Sequence, residues 1–236
     1  MAQKNGNGDS SRERLIKAGI NLFSKYGYDA TSTRMISKEA GVSLSAISFH
    51  FDGKDSLFSA CLDLIAEKIS SLYEKTSKKT ERLLENGIIS KQEAYECLME
   101  VIRTQVAVAF GHRYRSSLML TYWEQTGPSR RDHPVSEAIF KKIENSMAKL
   151  ITSTTDIPYE RAIIASRFIN GSIISFGEHS LLVYYAIGDE EGQKKKLELV
   201  SGEILRYCDV LIRELLQMPQ ENAGPLTNDA EGGNLP

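Results

Sequence analysis

The sequence predicts an all-α fold in which an N-terminal three-helix domain with a helix-turn-helix precedes a larger C-terminal helical bundle. Three observations support this. Apolar residues recur at spacings of three and four in most stretches between turns, as on amphipathic helices. Residues 31–57 spell two short helices joined by a tight turn. With 236 residues, of which 41% are hydrophobic and 25% charged, the chain can form a substantial core in one or two domains.

The short segment with two helices carries start and stop signals for each of them. Thr33 is the predicted N-cap of a helix over residues 34–40. Gly41 supplies the left-handed residue that ends this helix, and Ser43 is the predicted N-cap of the next one. The spacing therefore predicts a helix-turn-helix.

The apolar pattern of this segment separates an inner face from an outer face. The residues predicted to pack the two helices together are Ile36, Ala40, Val42, Ile47 and Phe51. The residues that then face away are Ser45, Ala46, Ser48 and Phe49. Leu44 shares its spacing with Ile47 and Phe51, so its direction stays open. An outward face on the second helix is where a helix-turn-helix meets the major groove, which makes DNA the leading partner.

Residues 12–57 resemble the DNA-binding domain of TetR-type bacterial transcriptional regulators. The resemblance is carried by L-F-S-K-Y-G-Y at residues 22–28, T-R-x-I-x-x-x-A-G-V-S at residues 33–43 and F-H-F-D-G-K-D-S-L at residues 49–57. The family usually has a Tyr where this chain has Ser48, and often a Gly where it has Ser45. Because that Tyr typically touches a phosphate, the contact is in doubt here, although a serine hydroxyl still donates at shorter reach.

The expected partner is palindromic double-stranded operator DNA. Phosphate contacts are assigned to Thr33, Ser48, Lys54 and the helix start at Ser43, and base-edge contacts to Ser45, Ala46 and Phe49. The full predicted DNA-binding set is Thr33, Arg34, Ser43, Leu44, Ser45, Ala46, Ser48, Phe49, His50 and Lys54. Residues 1–54 hold 8 Lys and Arg against 5 Asp and Glu, a basic surplus that suits phosphates but is also within ordinary scatter.

The rest of the chain reads as further helices. Ser10 or Ser11 is expected to cap the first helix. The fourth helix, residues 55–79, contains no Pro or Gly and forms a stiff connection between two domains. Five more helices are predicted at residues 90–110, 113–125, 134–152, 158–185 and 190–217. The predicted domains are 1–54 for DNA binding and 55–218 for ligand binding and dimerisation, followed by a disordered tail at 219–236.

The second domain carries a weaker resemblance and a candidate ligand site. Y-W-E-Q-T-G-P-S from residue 122 and F-I-N-G-S-I-I-S-F from residue 168 look like the C-terminal domain of the CecR-type branch of these regulators. Aromatic and polar types mix on the central helices, which suits either a pocket or an ordinary core whose polar groups pair. The predicted ligand-binding residues are Arg103, His112, Tyr114, Met119, Tyr122, Trp123, Asn170 and Phe176, with Gln105, Arg113 and Glu124 beside them. Since the lining has more aromatic area than charge, we expect a largely apolar, ring-containing effector.

The last two long helices are apolar over a wider part of their circumference than one packing contact covers. Two such helices from each of two chains would form a four-helix interface with two-fold symmetry, and the family resemblance also implies a homodimer. The alternative is a core within one chain. The predicted interface residues are Phe168, Ile174, Ile204, Cys208, Leu211 and Leu215.

Other classes of protein find little support. The 3 cysteines lack C-x-x-C spacing, no apolar stretch marks the start or spans a membrane, and a reducing cytoplasm fits. The 4 histidines lack metal-binding spacing, and no nucleophile elbow or nucleotide-binding fingerprint occurs, so we expect no enzyme activity, cofactor or metal. The resemblance favours a ligand-released repressor. The alternatives are an activator of the same fold and a small-molecule binding protein whose DNA reader has decayed.

Overall fold

The structure, a computed structural model, describes residues 10–87, 89–111, 114–126, 141–178 and 192–220. Within these ranges all the regular elements are helices, and the all-α prediction is confirmed. The helices are α1 Ser11–Ala30, α2 Thr33–Glu39, α3 Ser45–His50, α4 Lys54–Glu85, α5 Lys91–Phe110, α6 Arg115–Thr126, α7 Lys142–Thr152, α8 Tyr159–Glu178 and α9 Gln193–Leu215.

Helix α1 starts at the first of its two candidate caps. The Ser10 hydroxyl accepts from the Glu13 amide at 3.2 Å, while the Glu13 carboxylate accepts from the Ser10 amide at 2.8 Å, which completes a capping box. Near the other end, Gly27 has φ 77° and the helix kinks there. The core beneath α1 includes an edge-to-face pair of Phe23 and Phe58, whose ring centroids lie 4.8 Å apart. Helix α4 is thereby fixed against α1.

Helix α4 begins where it was predicted and runs six residues beyond the predicted end at residue 79, to Glu85. Contacts within the chain divide it into two compact units. The first holds Met1–Lys68 and Ser116–Ser136, and the second holds Ile69–Arg115 and Glu137–Pro236. Helix α4 therefore contributes residues to both units. The assignment of functions to residues 1–54 and 55–218 stays a prediction.

In the second unit, α5 lies at the centre and packs against α7, α8 and α9. Its buried positions occur around much of its circumference, as expected for a helix covered on several sides. Helices α5 and α8 approach closely because α8 has Gly177 at the contact. A Cβ at Gly177 would lie 2.6 Å from the Ala109 carbonyl oxygen, so no larger residue fits without movement.

A buried polar cluster joins α5 to α9. The Arg213 guanidinium donates to the Asp209 carboxylate at 3.1 Å and to the Tyr95 hydroxyl at 3.1 Å. The Tyr95 hydroxyl donates in turn to Asp209. Arg213 also donates to the Pro219 carbonyl at 3.4 Å, so the chain just after α9 is held as well. We call Tyr95, Asp209 and Arg213 the closed cluster, because each side chain has partners within the protein.

The predicted helix ends that fall in residues 127–140 and 179–191 lie outside the described residues, as do His112 and most of the predicted disordered tail. For the described parts of the predicted helices, the starts of α5 and α9 and the ends of α5, α7 and α9 lie within three residues of prediction.

Candidate nucleic-acid interface and ligand-binding residues

The turn between α2 and α3 is built around Gly41. The Val42 amide donates to the Ser37 carbonyl at 3.0 Å, and the Gly41 amide donates to the Lys38 carbonyl at 3.2 Å. This pair of bonds is a Schellman motif, which requires a left-handed residue after the helix cap. Gly41 has φ 63°, so its predicted role is confirmed. The motif fixes the direction in which α3 leaves α2.

Both predicted N-caps of the helix-turn-helix are wrong by one residue. Ser32 caps α2, because its backbone is extended and its hydroxyl accepts from the Met35 amide at 3.2 Å, whereas Thr33 is already helical. Leu44 is the N-cap position of α3, with helical backbone angles and no side-chain cap bond. The Ser43 hydroxyl instead lies 2.9 Å from the Ser45 hydroxyl. The Ala46 amide donates to the Ser43 carbonyl at 3.0 Å, so α3 begins with a bond of three-residue spacing.

The inner face of the motif forms as predicted. Ile36, Ile47 and Phe51 are buried, and Ala40 joins them, while Val42 is only half-buried. These side chains hold α2 and α3 together against α1. Apolar burial of this kind contributes about 1.5–3 kcal/mol for each large side chain.

Two contacts from α1 also hold the motif. His50 Nε2 lies 2.6 Å from the Ser11 hydroxyl oxygen, and Arg14 donates to the Gly41 carbonyl at 3.5 Å. Sequence reasoning missed both roles, because the partners are 39 and 27 residues apart and no local spacing relates them. His50, a predicted DNA contact, is thus half-buried and already bonded within the protein.

The outer face of α3 is exposed. Phe49 is 83% exposed and Leu44 46% exposed, which settles the direction of Leu44. Ser45 and Ser48 are exposed as well, and Ala46 is half-buried. A solvated phenylalanine forgoes the stabilisation that burial gives, so its place here is better explained by a surface that meets a partner.

The cations around this face differ in their exposure and contacts. Arg34 is exposed at the start of α2. The Lys54 ammonium lies 4.0 Å from the centroid of the Tyr28 ring and donates to the Asp29 carbonyl at 3.5 Å. The cation–π contact holds this half-buried lysine at the start of α4, where the chain leaves the motif. Thr33 is half-buried as well.

The predicted ligand-binding residues do not share one environment. Asn170 is buried, and Tyr114 and Met119 are half-buried. Phe176 is 40% exposed and Arg103 is exposed. On α5, Arg103 lies about 200° around the helix from residue 105, so it faces away from the interior of the second unit.

Two further observations concern the same set of predicted residues. Residue His112 and the side chains of Tyr122 and Trp123 lie outside the described residues. Burial raises the pKa of Tyr73, and the neighbouring Tyr114 raises it further, so two phenols lie near each other in the second unit.

Among the residues that the structure describes, no group of three or more His, Cys, Asp or Glu side chains could hold a metal ion. No described helix is long and apolar enough to cross a membrane.

Comparison with known proteins agrees with this geometry. Residues 15–61, from α1 into α4, match the family model described as "Bacterial regulatory proteins, tetR family". The HTH-type transcriptional dual regulator CecR of Shigella flexneri is 24% identical over 212 residues, which cover 89% of this chain and 95% of CecR.

Solved structures share the fold along most of the chain. FadR of Bacillus subtilis, crystallised with stearoyl-CoA, gives a TM-score of 0.56 at 15% identity, covering 88% of this chain and 98% of that one. SmeT of Stenotrophomonas maltophilia, in a complex with triclosan, gives a TM-score of 0.58 at 17% identity, covering 97% of this chain and 100% of that one.

Proposed function

Because the chain is a TetR-family transcriptional regulator, we propose that it binds palindromic operator DNA as a homodimer and releases that DNA when a small molecule binds its second domain. Proteins of this family are regulators rather than enzymes, in agreement with the sequence prediction. The observation that carries the proposal is the outward face of α3, where Phe49 is exposed while Ile47 and Phe51 are buried.

In this proposal α3 enters the major groove. Phe49 and Ala46 contact thymine methyl groups, and Ser45 contacts a base edge. Lys54 and Ser48 bind phosphates, with Lys54 held in place by Tyr28 before DNA arrives. Two copies of α3 in a dimer would read half-sites about 34–36 Å apart. The site of action is then the cytoplasm, where the chromosome lies.

Selection of genomic fragments by the purified protein at low salt tests this step. We expect one enriched palindrome. Lys54→Ala should weaken binding to every sequence and reduce the slope of log affinity against log salt by about one unit, as for one lost phosphate contact. If no palindrome is enriched, the protein is better explained as a small-molecule binding protein whose helix-turn-helix no longer binds DNA. Ser48, which stands where the family usually has Tyr, motivates this alternative.

The dimer surface that the structure supports differs from the predicted one. Ile204 and Cys208 are 6% and 7% exposed, so they pack inside one protomer and are unsuited to contact a second. On α8, Ile164 and Phe168 are 67% and 65% exposed. The exposed apolar residues of α9 are Leu199, Tyr207 and Val210.

We propose that these exposed faces of α8 and α9 form the interface, with half-buried Ile174, Leu211 and Leu215 at its edge. Phe168→Asp should make the chain monomeric in sedimentation at micromolar concentration and abolish operator binding, because it buries an unpaired charge. Ala107→Asp adds the same charge at an exposed position of α5 and should leave the dimer intact. A wild-type monomer would rule the interface out.

The ligand step rests on the second unit and on the solved relatives. FadR was solved with stearoyl-CoA and SmeT with triclosan, and each ligand has a large apolar part, the acyl chain in the first and the two rings in the second. A similarly apolar effector fits the aromatic composition of the second domain here. Helix α4 has residues in both units and is the proposed route by which ligand binding alters the spacing of the two α3 helices. A preference of about 1–3 kcal/mol for one dimer state gives about a 5–150-fold loss of DNA affinity.

Activation is the second candidate for the regulatory outcome, since CecR is described as a dual regulator. A reporter gene placed behind the selected palindrome separates the two. Repression predicts higher expression when the regulator gene is deleted, and activation predicts lower expression.

A further inference from the structure

Three polar side chains in the second unit form a hydrogen-bonded chain across α7, α8 and α5. The Asn170 amide nitrogen donates to the Glu144 carboxylate at 2.8 Å. The Gln105 amide nitrogen donates to the Asn170 carbonyl oxygen at 3.1 Å. All three residues are buried, with 8%, 2% and 4% of their surfaces exposed for Glu144, Asn170 and Gln105. We call them the open cluster.

The carboxylate sets the direction of every bond in the open cluster. Glu144 only accepts when ionised, and Arg167 donates to the same oxygen at 3.0 Å. Asn170 must therefore turn its nitrogen to Glu144 and its oxygen to Gln105. Gln105 must in turn present its nitrogen to that oxygen, which directs its own Oε1 away from the cluster.

Gln105 Oε1 has no hydrogen-bond partner, although it is buried. An unpaired buried acceptor costs about 1–3 kcal/mol of stability, so one held this firmly calls for an explanation. Its neighbours one turn away on α5, Val101 and Ala109, are apolar and buried. A fixed acceptor flanked by apolar side chains on its own helix is the kind of polar group that orients a ligand in a small-molecule site.

We propose that Gln105 Oε1 is the acceptor that anchors the effector, and that the effector is a mostly apolar molecule carrying one neutral hydroxyl or N–H donor. Phenols, alcohols and amides belong to this class. Carboxylates and phosphates do not, because an anionic oxygen would face the amide oxygen of Gln105, which has no proton to donate, with the Glu144 carboxylate two hydrogen bonds behind it. This inference rests on the proposed ligand-responsive function and specifies the chemistry of its ligand.

The closed cluster shows that the pattern is not general in this unit. There the Tyr95 hydroxyl, the Asp209 carboxylate and the Arg213 guanidinium all bond with one another. Among the described residues, Gln105 Oε1 is the one buried side-chain oxygen or nitrogen without a partner.

The test uses matched pairs of two-ring phenols and their methyl ethers, beginning with triclosan and its methyl ether. Each ether keeps the shape of its phenol and lacks the donor. Affinity for the full-length wild-type protein is measured by calorimetry, and operator binding is followed in parallel. We expect at least one phenol to bind about 10-fold or more tightly than its ether, which corresponds to about 1.4 kcal/mol.

Two variants assign that preference to the acceptor. Gln105→Leu removes Oε1 and should reduce the phenol-to-ether ratio to near one. Gln92→Leu makes the same substitution at an exposed position of the same helix and should keep the wild-type ratio.

The proposal is overturned if no phenol outbinds its ether on the wild-type protein, or if the preference survives in Gln105→Leu. The wild-type comparison needs no folded variant, so it decides the matter even if a substitution disrupts folding. Failure of the proposed function looks different, because then the protein selects no operator at all. A protein that binds operator and ligands without preferring donors refutes this inference alone.

Discussion

The open and closed clusters lie in the same unit and both include a residue of α5, yet they differ in how completely their members are paired. All three members of the open cluster are buried, as are Asp209 and Arg213, while Tyr95 is half-buried. In the closed cluster, Arg213 alone bonds to Asp209, Tyr95 and a backbone carbonyl. In the open cluster, Gln105 is the last residue of the hydrogen-bonded chain, and its Oε1 has no hydrogen-bond partner. A fully paired buried network rigidifies the fold, whereas an incompletely paired one keeps bonding capacity for a partner. The closed cluster is therefore expected to stabilise the fold, whereas the open cluster is the proposed ligand anchor.

The largest expected effect comes from breaking the closed cluster. Arg213→Met removes the cation beside Asp209, which is 4% exposed, and leaves a buried carboxylate with only the Tyr95 hydroxyl as a partner. We expect the free energy of unfolding to fall by about 3–5 kcal/mol. Urea denaturation followed by circular dichroism measures this value.

Arg206→Met is the matched control for that substitution. Arg206 pairs with Glu203 on the same helix, but their side chains are 38% and 43% exposed. Because water and salt screen such an exposed pair, its loss should change the free energy of unfolding far less than the loss of Arg213. Equal losses of stability in the two variants would show that the closed cluster is not a special source of stability.

The second effect concerns the outward face of α3, where Phe49 is 83% exposed. Phe49→Ala should lower operator affinity by about 10-fold or more while changing unfolding by less than about 0.5 kcal/mol, since the side chain is solvated. Phe51→Ala, two residues on, should instead cost about 3–5 kcal/mol of stability because that ring is in the core. Anisotropy of a labelled operator and urea denaturation measure the two quantities. A Phe49→Ala variant that binds DNA like the wild type would remove α3 as the reader.

The smallest expected effect is on stability at the open cluster. Gln105→Leu removes one unpaired acceptor but takes the donor from the Asn170 oxygen, so one unsatisfied atom replaces another. The free energy of unfolding should change by less than about 1 kcal/mol. If urea denaturation shows that the free energy of unfolding falls by several kcal/mol, Gln105 stabilises the fold. The open cluster would then not differ from the closed cluster in its role.

Local signals in the sequence predicted the helix-turn-helix well. Gly41 and the buried positions Ile36 and Ile47 follow from turn chemistry and helical spacing, which involve only neighbouring residues. The cap of α2 differs from prediction because Thr31, Ser32 and Thr33 are adjacent hydroxyl residues, and spacing alone does not choose among them. The N-cap position of α3 falls on Leu44, which makes no side-chain cap bond and so leaves no signal in the sequence.

The second unit was harder to predict because its helices are apolar over broad arcs. Nothing in the spacing of α9 tells which stripe packs on α5, so Ile204 and Cys208 were expected at an interface but are buried within the protomer. The open cluster joins Gln105, Glu144 and Asn170, which lie tens of residues apart on three helices. Sequence composition singled out Gln105 and Asn170, but only the fold brings them together.

Release of operator DNA by a matched pair of ligands shows whether Gln105 Oε1 anchors the effector. Labelled operator bound to the wild-type protein, or to Gln105→Leu, is titrated with the tightest-binding phenol and with its methyl ether. Without ligand, we expect the two proteins to bind operator with equal affinity. We expect the wild-type protein to release operator at about 10-fold lower concentrations of phenol than of ether. It also predicts that the variant responds alike to both compounds. The claim is contradicted if the wild type releases operator at the same concentrations of phenol and ether, or with neither compound.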